Sequence, residues 1–256
     1  MVYNNVTNTL RAWCSEMTQR YCDAYQQERA KSGQSLRYLP QLVTSELQYK
    51  LGALIDRDFS DYDAYRAAIK DLMAFHPDPA LSRKPGKIET HYIQTTEAAF
   101  RDYLDSLPAD RPAPDWPYCR NIRGEEAERI TARIYDAWGY DTTYWYPLDG
   151  KPGDGRFFIA SQWVAPHWDE IRRLLDLPRK HIYEYGESAY GPFYCSEVDD
   201  LDPDAGVEYA CCAMDFSWLI YFSHENTVTF AGTIVPRILE ILHADREHWN
   251  RFEWID

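Results

Sequence analysis

Three adjacent residues, Ser223, His224 and Glu225, are of the types that carry out nucleophilic and acid–base chemistry in enzymes. They lie in the stretch DFSWLIYFSHENTVTFAG, between two apolar runs. A Ser-His-acid triad brings its side chains together from different segments, whereas neighbours in an extended chain point to opposite faces. The polar stretch SHEN, residues 223–226, has the composition of a hairpin loop. We therefore predict a loop between paired strands, and a catalytic role for His224 or Glu225 would require a second group that the sequence does not identify.

The remaining histidines and acids do not show the spacing of a metal site. His243 and His248 are five residues apart, which is about 140° around a helix, whereas a helical zinc pair uses i and i+4. Glu240 and His243 form one Glu-x-x-His, but a di-iron bundle needs two. The stretch DDLDPDAG resembles a calcium loop, yet Ala205 and Cys211 stand where an EF-hand has Gly and Glu. We predict no metal and no cofactor.

Acidic residues are concentrated in the second half of the chain. The net charge is −14, and residues 1–140 hold 18 Lys and Arg against 20 Asp and Glu, whereas residues 141–256 hold 9 against 21. Between residues 181 and 236 there are ten acids and no Lys or Arg. Such a field repels phosphate backbones and attracts basic proteins, which disfavours direct nucleic-acid binding. The residues predicted to bind a basic partner are Glu197, Asp199, Asp200, Asp202, Asp204 and Glu208.

Apolar runs and cysteines indicate the compartment. No apolar run approaches the roughly 20 residues of a membrane-spanning helix, and the start MVYNNVTNTLRAWC lacks the pattern of a secretory signal. None of the six cysteines forms a Cys-x-x-Cys pair, and Cys211 and Cys212 lie in the apolar run YACCAM. We predict a cytoplasmic protein that does not enter a membrane, with reduced thiols and with Cys211 and Cys212 buried.

Hydrophobic periodicity changes from helical spacing to alternation near residue 140. Apolar residues before that point recur at helical spacing in five segments, with Ser60 as the cap of the third and Gly139 after the last. After it, RFFIA, HIYEY, PFYCSE, VEYACCAM, SWLIYF and TVTFAG read as strands, and APHWDEIRRLLDL and VPRILEILHADREHW as helices. We predict an α+β protein: a helical region over 1–140 and a mostly antiparallel sheet flanked by helices over 141–256, as two domains or one integrated domain.

The region from about 140 to 256 resembles bacterial immunity proteins of polymorphic and contact-dependent toxin systems. The resemblance is carried by TYWYPLDG, by DFSWLIYFSHENTVTFAG and by the acidic, Tyr-rich strands. It implies a cytoplasmic protein that binds a cognate toxin, commonly a basic nuclease, and blocks its active site. Two alternatives are a hydrolase-like enzyme that uses His224 and Glu225, and a non-catalytic accessory or adaptor domain. A toxin-like gene beside the gene for this chain would favour the immunity function over these alternatives.

Overall fold

The structure is a computed structural model that describes residues 1–32, 39–73, 87–140, 155–175, 181–186, 193–197, 201 and 208–251. The chain divides into two compact units, Met1–Trp116 and Pro117–Asp256. Over these described ranges, no helix has both the length and the apolar character needed to cross a bilayer.

The first unit is helical. Its core lies between helices because apolar side chains recur on one side of each of them; in α1 these include Val6, Leu10 and Cys14, all fully buried. Burial raises the pKa of the Cys14 thiol, so this group stays protonated. The helices are α1 (Asn4–Ser32), α2 (Leu39–Gly52), α3 (Tyr62–Leu72) and α4 (Lys87–Ser106).

The N-cap of helix α3 lies one residue after the predicted one. The carboxylate of Asp61, not the hydroxyl of Ser60, accepts the Ala64 N–H at 2.8 Å. Asp61 has the extended backbone of an N-cap, and its carboxylate satisfies an amide that has no partner inside the helix. The cap fixes the start of a helix that buries Tyr65 and Ile69 in the core.

The second unit is built on one antiparallel sheet of seven strands. Their spatial order is β1-β4-β3-β5-β6-β7-β2, and every neighbouring pair is antiparallel. The predicted α+β class is thereby confirmed. The strands are β1 (Cys119–Ile122), β2 (Arg156–Ala160), β3 (His181–Gly186), β4 (Phe193–Glu197), β5 (Tyr209–Ala213), β6 (Trp218–Ser223) and β7 (Thr227–Gly232).

Both faces of this sheet carry apolar side chains, because alternate residues of a strand point to opposite faces. In β6, Trp218 and Ile220 belong to one buried cluster, whereas Leu219 and Tyr221 belong to another. The first cluster includes residues of α6, α7 and α8, and the second includes residues of α5. The helices are α5 (Gly124–Trp138), α6 (Ser161–Val164), α7 (Trp168–Leu175) and α8 (Val235–Ile241), with 3-10 turns at Ala165–His167 and His243–His248.

The division between the units falls before β1, whereas the sequence places the change of pattern at residue 140. Strand β1 pairs with β4, and the Arg120 guanidinium donates two 2.8 Å hydrogen bonds to the Glu126 carboxylate in α5. Both elements therefore belong to the sheet unit. Helix α5 ends as predicted, because Gly139 has a φ of 67°, in the left-handed region that favours glycine.

Candidate binding surface

The predicted partner-binding acids come from the connection between β4 and β5. Glu197 is the last residue of β4, and Glu208 directly precedes β5. Of the residues between them the structure describes only Leu201; the predicted Asp199, Asp200, Asp202 and Asp204 lie outside the described residues.

Glu197 and Glu208 do not form one patch. Glu197 is opposite His181, the first residue of β3. Glu208 directly precedes Tyr209, which is opposite Gly186, the last residue of β3. At about 3.4 Å per residue, the length of β3 separates the two acids by about 17 Å. The connection therefore starts and finishes at opposite ends of β3.

Leu201, the one described residue between Glu197 and Glu208, is held in the interior of the sheet unit. Its side chain is 4% exposed and belongs to the apolar cluster that α7 shares with the sheet. The indole N–H of Trp168, the first residue of α7, donates a 3.2 Å hydrogen bond to the Leu201 carbonyl oxygen. The acids Asp200 and Asp202 are the covalent neighbours of a residue that is held by both packing and a hydrogen bond.

Glu208 does not lie at the surface, as a residue that contacts a partner would. Its side chain is only 1% exposed, and its Oε2 lies 2.5 Å from Nδ1 of His224. A buried carboxylate is costly unless it has hydrogen-bonding partners, and the imidazole supplies one. Glu208 therefore contributes to the interior of the sheet unit, and its predicted role in direct contact is corrected.

The stretch Ser223-His224-Glu225 closes the hairpin between β6 and β7. Ser223 pairs with Thr227, and the turn holds His224, Glu225 and Asn226. Asn226 has a φ of 58°, which asparagine tolerates better than most residues, and its N–H donates to the Ser223 carbonyl oxygen at 3.0 Å. The predicted hairpin loop is confirmed.

The three adjacent side chains do not converge as a triad. The Ser223 hydroxyl oxygen accepts the Glu225 backbone N–H at 3.1 Å, whereas the His224 ring contacts Glu208. The second titratable group near His224, which the sequence did not identify, is thus Glu208 from another segment. The antiparallel register signals this contact, because Tyr209 is opposite Phe222 and the next pair outward is Glu208 and Ser223.

A carboxylate that holds one nitrogen of an imidazole is the arrangement that orients histidine as a general base. His224 is 57% exposed and stands in the turn between β6 and β7. Acid–base catalysis also needs a substrate held within hydrogen-bonding reach of the ring. The His224–Glu208 pair therefore has the geometry of an oriented imidazole at an exposed turn, and a bound substrate would be needed for catalysis.

Two other histidines of the sheet unit, His167 and His248, contact an acidic and an aromatic side chain. His167 Nε2 is 3.4 Å from Asp245 Oδ2, and the His248 ring stacks on Trp163 with centroids 3.9 Å apart. Within the described part of the chain, no three or more His, Cys, Asp or Glu residues are grouped as metal ligands. Cys211 and Cys212 are fully buried, as predicted, and burial raises the pKa of both thiols.

Charge follows the division into units. Pro117–Asp256 holds 13 Lys and Arg against 25 Asp and Glu, whereas Met1–Trp116 holds 14 against 16. The sheet unit therefore carries a net charge of −12 and the helical unit −2.

Comparisons with models of protein families, with curated proteins and with solved structures give no match for this chain.

Proposed function

We propose that this chain is an acidic cytoplasmic protein of the immunity type, which binds and neutralises a cognate basic, nuclease-like toxin. The observation that carries the proposal is the run from residue 181 to 236, with ten acids and no Lys or Arg, inside a unit of net charge −12. Charge of this sign accelerates encounter with a basic protein and competes with the phosphates that such a toxin binds.

The fixed position of Leu201 supports recognition through the acidic connection. A segment that is already held before binding loses less conformational freedom when the partner arrives. Packing and the hydrogen bond from Trp168 hold Leu201, which lies between Asp200 and Asp202 in the sequence. The acidic residues therefore flank a buried, hydrogen-bonded residue, Leu201. This favours a role in a specific interaction over a role in general solubility.

A protection experiment tests the proposal. A protein that co-purifies with the tagged chain from its native host is expressed alone in cells, and then together with this chain. We expect growth arrest when that protein is expressed alone and recovery on co-expression. A partner that is harmless alone, or whose toxicity persists with this chain bound, would contradict the proposal.

The His224–Glu208 contact favours a second candidate function, acid–base catalysis at the β6–β7 turn. If it operates, the intact chain hydrolyses a small activated ester, and His224→Gln removes that activity because Gln cannot take up the proton. Equal hydrolysis by both chains would show that His224 has no such role.

A further inference from the structure

Strand β2 forms one edge of the sheet, since it pairs with β7 alone among the described strands. Successive residues of an edge strand direct their main-chain N–H and C=O groups alternately toward the neighbouring strand and away from it. At the two ends of β2, the Gly155 carbonyl oxygen and the Ser161 N–H bond toward β7, to Gly232 and Asn226. Phe158 is three residues from each of these ends, so its N–H and C=O groups point outward from the sheet.

A single residue, Asn250, bonds to both outward groups of Phe158. The Asn250 N–H donates to the Phe158 carbonyl oxygen at 2.8 Å, and Asn250 Oδ1 accepts the Phe158 N–H at 3.1 Å. Asn250 has a φ of 57°, so its backbone is not that of a strand. It therefore satisfies the edge as a neighbouring strand would, through one N–H and one side-chain oxygen, but it does not extend the sheet.

The two residues before Asn250 attach the same segment to β2 and to α6. The His248 ring stacks on Trp163 of α6 with centroids 3.9 Å apart. The Trp249 ring lies 5.8 Å from the ring of Phe157 in β2 and packs against the apolar cluster that includes residues of α7 and α8. Three successive residues thus contact the edge strand and the helix that follows it, and we call residues 248–250 the strap.

The composition of β2 makes an uncovered edge hazardous. Its sequence RFFIA has three large apolar residues and one charge, and it lacks Pro and Gly, which is typical of strands that pair with other chains. The side chains from Phe157 to Ala160 are buried, so the strap covers a main-chain edge and not an apolar patch. A main-chain edge pairs with another strand edge, and a second copy of this chain carries an identical one.

We propose that the strap keeps two copies of this chain from joining through β2, and that its release lets β2 pair antiparallel with β2 of a second copy. A twofold axis at Phe158 places this residue opposite its own copy, where the outward N–H and C=O groups of the two chains bond to each other. In that register Arg156 is opposite Ala160 of the second copy, so the two arginines do not face each other. This inference is independent of the proposed immunity function.

Analytical ultracentrifugation of the full-length chain over a range of concentrations tests the proposal with three substitutions. Asn250→Pro removes both hydrogen bonds, because proline has no N–H and does not adopt a positive φ. Asn250→Gly keeps the N–H and the φ and removes only Oδ1. Asn250→Asp is the matched control, since it keeps both the N–H and Oδ1. We expect Asn250→Pro to self-associate about tenfold or more tightly than the wild type, Asn250→Gly to be intermediate, and Asn250→Asp to behave as the wild type.

Hydrogen exchange of the Phe158 amide, followed by NMR, identifies the interface. We expect slow exchange in the wild type, faster exchange in dilute Asn250→Pro, and slow exchange again at concentrations where that variant associates. Thermal melts establish folding, and if Asn250→Pro is unfolded the same outcomes are read from Asn250→Gly. The inference is overturned if the folded variant associates no more tightly than the wild type, if Asn250→Asp associates equally tightly, or if the Phe158 amide still exchanges fast in the associated form.

Discussion

His224 and Glu208 show how a buried charge is accommodated next to an exposed loop. Glu208 is almost fully inaccessible, while the imidazole 2.5 Å away stands at the surface of the β6–β7 turn. Transfer of a carboxylate away from water is costly, and a hydrogen bond at this distance offsets part of that cost. The first role of His224 supported by its contacts is therefore to stabilise the buried carboxylate of Glu208 at the start of β5, the central strand of the sheet.

Substitution of His224 tests this stabilising role. We expect His224→Ala to lower the free energy of unfolding by about 1–3 kcal/mol, because a buried carboxylate loses a hydrogen-bonding partner. Urea denaturation monitored by circular dichroism measures the change. His243→Ala is the control, since His243 is exposed, and its effect should stay within about 0.5 kcal/mol. If the two substitutions lower the free energy of unfolding equally, His224 has no specific stabilising role.

At the scale of elements, strand β1 and helix α5 are joined by an ion pair with defined geometry. The two parallel hydrogen bonds between Arg120 and Glu126 connect a four-residue edge strand to the helix that follows it. Hydrogen bonding to Arg120 lowers the pKa of the Glu126 carboxyl. A lowered pKa means that the folded state favours the charged form, so the pair stabilises the fold only while Glu126 is ionised.

The stabilising effect of this pair should therefore depend on pH. Its contribution is complete above the ordinary glutamate pKa of about 4.3 and is lost as the pH falls through the lowered value in the folded chain. We expect Glu126→Gln to destabilise the chain at pH 7 and to have a much smaller effect at pH 2.5, measured by urea denaturation at each pH. Glu128→Gln, on the same helix and with an exposed side chain, should change stability little at either pH. The same loss for Glu126→Gln at both values would contradict this account.

Elements with strong local signals follow from the sequence, and those set by distant contacts do not. Alternation predicts TVTFAG as a strand, and Gly139 marks the end of α5, because these signals reside in a few adjacent residues. Strand β1 was not predicted, since CRNI is short, follows a proline-rich connector and gains its partners from β4, far along the chain.

The candidate binding surface was predictable only in its composition. The sequence shows that acidic residues are concentrated between 181 and 236. It does not show which of them are exposed and which, like Glu208, are buried in contact with a histidine. Burial of Glu208 depends on the pairing of β5 with β6, which brings the β6–β7 turn beside it. The separation of Glu197 from Glu208 likewise depends on β3 lying between β4 and β5.

At the scale of the whole molecule, packing divides the chain before Pro117, and the excess of acidic residues lies in the second unit. The division before Pro117 leaves β1 and α5 with the sheet, where Ile130 and Ile134 of α5 are buried against it. Without α5, that face of the sheet would expose the apolar cluster to water. The fold therefore depends on residues that precede the change of periodicity at 140.

Two fragments distinguish these boundaries. We expect residues 117–256 to fold cooperatively when expressed alone, and residues 141–256 to be insoluble or to lack a cooperative thermal transition. Circular dichroism and thermal melts of both fragments measure this. A well-folded 141–256 fragment would show that β1 and α5 are dispensable to the sheet.

If the acidic connection speeds recognition of a basic partner, as we propose, the association rate shows it most directly. The rate with the cognate partner is measured by stopped flow at low and at physiological salt for three chains. These are the wild type, the charge reversal of Asp200, Asp202 and Asp204 to Lys, and a matched reversal of Asp71, Asp102 and Asp110 to Lys, which are exposed acids of the helical unit. Thermal melts establish that all three are folded.

We predict that reversal at Asp200, Asp202 and Asp204 lowers the association rate at low salt by about tenfold or more, and that the matched reversal lowers it much less. The difference should shrink at physiological salt, where the screening length is about 8 Å. Association at the wild-type rate in low salt after the first reversal, or an equal loss from both reversals, would contradict the claim.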